Sequence, residues 1–217
     1  MTLPPLEHHL RMTMPELPTV FIVDDDPAVQ RAVGIVARSL SYEVRMFGSA
    51  SEFLLGYTEG TPGCLVLDVR MPEMSGIELQ KMLVDAGVRF PVIMMSGHAD
   101  VPMAVTAMSQ GAFTFLQKPF RMPELKEAID QAIAHCLAEQ TRQQKQNEVR
   151  ARLRSLTSKE REVLDLLLEG CSNKEIATRV SISLRAVEDR RARLMKRMEA
   201  ASLVELVSDI RSLPDGV

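Results

Sequence analysis

The chain has 217 residues, 46% of them hydrophobic and 25% charged, with a formal net charge of −3. That length carries one or two domains, and that composition argues a soluble globular protein rather than a disordered or fibrous one. No apolar run approaches the roughly 20 residues of a membrane-spanning helix.

The stretch 1–18 holds Pro4, Pro5, Pro15 and Pro18 and no long apolar core. It does not have the form of a secretory signal and is expected to be a disordered leader, with Met12 and Met14 as alternative starts. His8 and His9 there are read as a solvated tail rather than a metal site. His98 and His135 lack acidic or cysteine neighbours at ligand spacing and read as surface residues. Cys64, Cys136 and Cys171 are odd in number, with no Cys-x-x-Cys spacing. Reduced thiols in a cytoplasmic protein follow, with a redox sensor as the alternative.

In chain order, strand patterns fall at 19–23, 43–46, 64–67, 91–95 and 113–116, and helix patterns at 27–40, 52–56, 77–86, 102–110 and 123–137. Strand and helix alternate, which predicts a doubly wound parallel sheet with helices on both faces. The apolar strands are near-continuous in Val, Ile and Leu, as strands buried on both faces are.

Polar residues follow these runs. Asp24 and Asp25 come after the first strand, Asp68 after the third, Ser96 after the fourth and Lys118 after the fifth. Carboxyl ends of strands in such a sheet line a ligand crevice. Carboxylates gathered there repel one another unless a cation joins them, and a hard divalent ion such as Mg²⁺ takes oxygen ligands. A carboxylate can also accept a phosphoryl group, whose oxygens a hydroxyl and an ammonium would hold. Asp26, followed by Pro27, reads differently, as a helix N-cap with proline at the first helical position.

The strings Val23-Asp24-Asp25, Leu67-Asp68-Val69-Arg70-Met71-Pro72, Met95-Ser96-Gly97 and Lys118-Pro119-Phe120 together resemble the receiver domain of two-component response regulators. The stretch 96–105 is similar to the FixJ branch. The resemblance implies a five-stranded, flavodoxin-like receiver over 19–137. It implies that Asp68 accepts phosphate from a sensor histidine kinase. It implies that Asp25, Asp68 and the carbonyl of Arg70 bind Mg²⁺, with Asp24 reaching it through water. Lys118 would then pair with the phosphoryl oxygens, Ser96 would bond them, and Phe115 would be the aromatic switch.

Residues 139–148 have no Gly or Pro and almost no apolar side chain. This run favours helix but has no face to bury, so 138–154 is expected to be a polar linker, helical or not, rather than a coiled coil. Charge changes sign across it. Through Thr141 there are 10 basic and 17 acidic residues, net −7; from Arg142 there are 16 and 12, net +4. A second domain with an anionic partner fits that asymmetry.

From 155 to 217 the pattern is all helical. Thr157-Ser158-Lys159-Glu160 is a capping box, and Val163, Leu164 and Leu166–Leu168 form an apolar stripe ended by Gly170. A short helix at 173–180, a turn at 181–183 with Ser183 as cap, and a basic helix at 184–198 make a helix-turn-helix candidate. A fourth helix follows at 202–213. By pattern alone, three packed helices without DNA remain open.

The strings 156–164 and 172–177 resemble the LuxR-type output domain, which with the receiver makes the FixJ/NarL type of transcription regulator. The resemblance implies a recognition helix at 184–195. Val187, Ala192 and Leu194 are expected to face inward. Arg185, Glu188, Asp189 and Arg190 are expected to reach base edges, and Lys174, Arg191 and Lys196 phosphates. Glu188 and Asp189 depart from the Lys and neutral polar residue frequent in the family, and Glu199 from its helix-ending Gly.

The reading is a transcription regulator, not an enzyme, in which phosphorylation of Asp68 controls homodimerisation and binding to double-stranded DNA, with RNA polymerase as a further partner. Two other classes stay open. A metal-dependent phosphotransferase would want a second carboxylate two residues beyond Asp68, where Arg70 stands. A pure interaction module would leave the strand-end residues without a use.

Overall fold

The computed structural model describes residues 17–58, 60–88, 91–97 and 101–214. The expected leader therefore falls almost wholly outside the described residues, with His8 and His9, and so does His98. The chain divides into two units, Met1–Glu139 and Gln140–Val217.

In the first unit five parallel strands, β1 (Thr19–Val23), β2 (Glu43–Phe47), β3 (Gly63–Asp68), β4 (Val92–Ser96) and β5 (Thr114–Gln117), run in the order β2-β1-β3-β4-β5. Alternation along β1 divides the core into two layers. Val20 and Ile22 face one layer, filled by Val33, Val36 and Ala37 of α1 (Pro27–Ser39) and by Leu125, Ile129 and Ile133 of α5 (Met122–Ser155). Phe21 and Val23 face the other, filled from α2 (Ala50–Gly56), α3 (Gly76–Asp85) and α4 (Val101–Ser109) by Phe53, Leu79, Leu83 and Ala107. The central strands β1, β3 and β4 are buried throughout, while the edge strands β2 and β5 are not.

Local chemistry sets the helix starts. Asp26 caps α1 by accepting from the Ala28 amide, with Pro27 in the first turn, as expected. Ser75 and Glu78 make a reciprocal capping box at α3.

The second unit has one core, drawn from α6 (Ser158–Leu168), α7 (Asn173–Arg179), α8 (Leu184–Met198), α9 (Leu203–Arg211) and the far end of α5. Thr157 with Glu160, and Ser172 with Glu175, form capping boxes, and Ser183 caps α8. Glu199 ends α8 in the left-handed region, φ 54°, where glycine is usual. The corner keeps the glycine-type geometry: the Ala200 amide donates to Met195 O, and Arg152 holds the Glu199 carboxylate at 2.6 Å.

The polar run of 139–148 corrects one expectation. It is helical throughout, as part of α5, and it does have a face to bury. Gln146 is buried and donates its amide to Ser212 O at 2.5 Å, while Lys145 pairs with the buried Asp209 at 2.9 Å. Val149, one residue past the run, is buried in the second unit's core. The burial is polar and so leaves no trace in a hydrophobicity pattern. Among the described residues no helix is long and apolar enough to cross a membrane.

Candidate functional site

Val23 of β1 is in register with Leu67 of β3. The next residues, Asp24 and Asp68, therefore leave adjacent strands side by side, at the point where strand order reverses. Both carboxylates are buried. Lys118, just past β5, donates its Nζ to Asp24 Oδ2 and Asp68 Oδ1, each at 2.6 Å. The second oxygens are held by backbone: Asp26 N–H donates to Asp24 Oδ1 and Arg70 N–H to Asp68 Oδ2, both at 2.9 Å.

The supporting shell is tight. Gln30 donates to the carbonyls of Asp24 and Phe47. Lys118 N–H donates to Ser96 O at 2.7 Å, tying the end of β5 to the end of β4. Gly76 has no side chain for a steric reason: a Cβ there would lie 2.2 Å from the carbonyl oxygen of Asp68.

Burial pushes the Asp68 carboxyl above the ordinary aspartate value, and Asp24 adds to that, while the bond and charge of Lys118 work against it. Burial pulls the Lys118 ammonium down, but its bonds to Asp24 and Asp68 together leave it above its ordinary value. The result is a buried carboxylate with a fixed cation at its side.

The expected metal ligands are only partly brought together. Among the described residues no three His, Cys, Asp or Glu side chains are gathered as a ready metal site. Asp25 is exposed at the rim, Arg70 is exposed, and Lys118 engages both buried carboxylates. The donor chemistry still fits a hard divalent cation: buried Asp24 and Asp68, with Asp25 at the rim, set three carboxylates against the one Lys118 ammonium, an excess of two negative charges with oxygen donors only. Ser96 is buried at the last position of β4, and Phe115 is half-buried on β5 in register with Met94.

In the second unit α8 buries Val187, Leu194 and Met198. Its opposite face exposes Arg185, Glu188, Asp189, Ala192, Arg193 and Lys196, and Lys174 is exposed on α7. Ala192 thus contradicts the inward expectation. It lies five residues after Val187, about 140° round the helix, whereas the buried stripe steps by three or four. Arg190 is likewise corrected: its side chain is only 15% exposed and its guanidinium lies 3.9 Å from Glu162 on α6, so it faces the helix bundle. Arg191 is partly buried and donates to Asn173 Oδ1 at 2.9 Å. Arg193, which the sequence reading does not name, is exposed beside Asp189 and Lys196 on the helical wheel.

Cys64, Cys136 and Cys171 are free thiols, and burial raises that of Cys64 far above its ordinary value. His135 is exposed beside the Phe113 ring.

The family described as the response regulator receiver domain matches residues 20–130, and that of bacterial regulatory proteins, luxR family, matches 154–209. Response regulator protein TodT of Pseudomonas putida is 38% identical over 213 residues, 98% of this chain and 94% of TodT. Transcriptional regulatory protein FixJ of Rhizobium meliloti is 42% identical over 189 residues, 87% of this chain and 93% of FixJ. The solved structure of response regulator StyR covers 90% of this chain and 98% of its own, at 38% identity and a TM-score of 0.80. The chain belongs to the two-component response regulators of the FixJ/NarL type, a transcription regulator with a receiver domain and a LuxR-type DNA-binding domain.

Proposed function

We propose that Asp68 is the phosphoryl acceptor and that its phosphorylation controls dimerisation and sequence-specific DNA binding. The observation that carries this reading is the buried Asp68 carboxylate, held between Lys118 and the Arg70 amide beside Asp24. A carboxylate oxygen of Asp68 attacks the phosphorus of a kinase phosphohistidine. The new P–O bond replaces the P–N bond, and the histidine nitrogen takes a proton. Lys118 pairs with the phosphoryl oxygens, and the Ser96 hydroxyl bonds them.

Asp24, Asp25, Asp68 and the Arg70 carbonyl would hold Mg²⁺, which supplies neutralisation of the phosphoryl charge. Ser96 and Phe115 change position together with phosphorylation, and the surface of α4 and β5 then favours the dimer. The coupling is a population shift between two states. Exposed Val105 and Met108 give α4 an apolar surface suited to a second copy. Two copies present two α8 helices to an inverted repeat about one DNA turn apart.

On that helix Arg185, Glu188 and Asp189 face base edges, and Arg191 and Lys196, with Lys174 of α7, face phosphates. The receiver's use of phosphate is regulatory, so the protein is read as a non-enzyme, acting in the cytoplasm with a sensor histidine kinase and RNA polymerase as partners.

The test mixes the full chain with sheared genomic DNA of its source, with and without Mg²⁺ and beryllofluoride as the phosphoryl mimic, and sequences what is retained. An inverted repeat enriched mainly with the mimic is the expected result. Equal enrichment in both conditions removes Asp68 as the switch. Asp68→Asn is expected to abolish phosphate uptake, and persistent uptake would sink the assignment.

A further inference from the structure

Ala192 occupies the middle of the exposed face of α8, two turns after Arg185, three residues after Asp189 and four before Lys196. Its exposed neighbours on that face, Arg185, Glu188, Asp189, Arg193 and Lys196, are all charged. Arg190 and Arg191, which precede it in sequence, turn instead to Glu162 and Asn173.

A lone methyl among charges offers no hydrogen bond to a base. Its favourable partner in the major groove is another methyl, that on C5 of thymine. The short side chain also lets the helix backbone come close to the base edge at this point, which a longer residue would prevent. We infer that Ala192 is a specificity-determining residue that reads a thymine methyl group in each half-site. This rests on the DNA-binding reading of α8 and adds to it a base that charge alone does not select.

The test uses the full chain with Mg²⁺ and beryllofluoride on a duplex selected from source genomic DNA. Each thymine of the half-site is replaced in turn by deoxyuridine, which lacks the methyl and keeps every base-pairing group. Wild type should lose about fourfold in affinity at one thymine per half-site, the equivalent of one buried methyl-sized group. Ala192→Gly should bind the thymine and uracil duplexes alike at that position. Ala192→Ser, which keeps the helix with a polar tip, should lose the same discrimination if the glycine variant melts early. Wild type indifferent to every uracil, or variants that keep the full loss, would overturn the inference. A protein that enriches no duplex at all fails at the earlier step and removes the DNA reading and this inference together.

Discussion

Gly76 and Asp68 meet at backbone distance, and the proposed acceptor carboxylate sits on the backbone so approached. A Cβ at position 76 would stand 2.2 Å from Asp68 O and 3.0 Å from Leu67 Cγ. Gly76→Ala is therefore expected to cost about 2 kcal/mol of stability, as overpacking does. It should also slow phosphate uptake at Asp68, both read on the full chain by melting and by phosphorylation rate. Glu160 is a second residue whose chemistry fixes a local structure. Its carboxylate accepts from the Thr157 amide at 2.9 Å and hydroxyl at 2.8 Å, and Arg197 lies 3.4 Å away. Its pKa is lowered, first by the Thr157 amide bond, against a rise from burial. A depressed folded value means stability that is present above the unfolded pKa, ordinarily 4.5, and lost as pH falls through the folded one. The stability gap between wild type and Glu160→Gln should be widest near neutral pH and close below 4.5, measured as amide exchange of α6.

At the scale of elements, α5 departs most from its sequence pattern. Its first half buries Leu125, Ile129 and Ile133 in the receiver, and its far end buries Gln146 and Val149 in the output unit. Val149→Asp would place an unpaired charge in that second core, which costs several kcal/mol or forces local unfolding. Its melting should show early loss of the output unit with Asp68 phosphorylation retained. Loss of phosphate uptake in that variant would contradict the division into two units. The helix starts tell the opposite story, because a cap is read from residues adjacent in sequence. Asp26, Thr157 and Ser183 cap where the sequence predicts them.

For the whole molecule, charge separates the two units. The residues through Thr141 carry a net −7 and those after it +4. The acidic pair Glu188 and Asp189 stands exposed on the helix expected to meet DNA. Glu188→Lys should raise nonspecific DNA affinity and steepen the fall of log K with log salt by about one to two. Titrations of random duplex DNA at several salt concentrations check this, and an unchanged slope would take Glu188 off the DNA face.

By itself the sequence determined the alternating sheet, the strand-end set of Asp24, Asp68, Ser96 and Lys118, and the helical output unit. Continuous apolar runs, capping chemistry and strand ends are local signals, and they carry the fold class with them. Only tertiary structure decided which way α8 turns. Arg190 looks inward because Glu162 on another helix receives it, and Ala192 looks outward because the buried stripe runs through Val187, Leu194 and Met198. It also decided that Lys118 joins Asp24 to Asp68, and that Gln146 is buried. Those facts depend on partners 94, 50 and 66 residues away. Pairing at that separation is set by how the layers pack, and no local pattern records it.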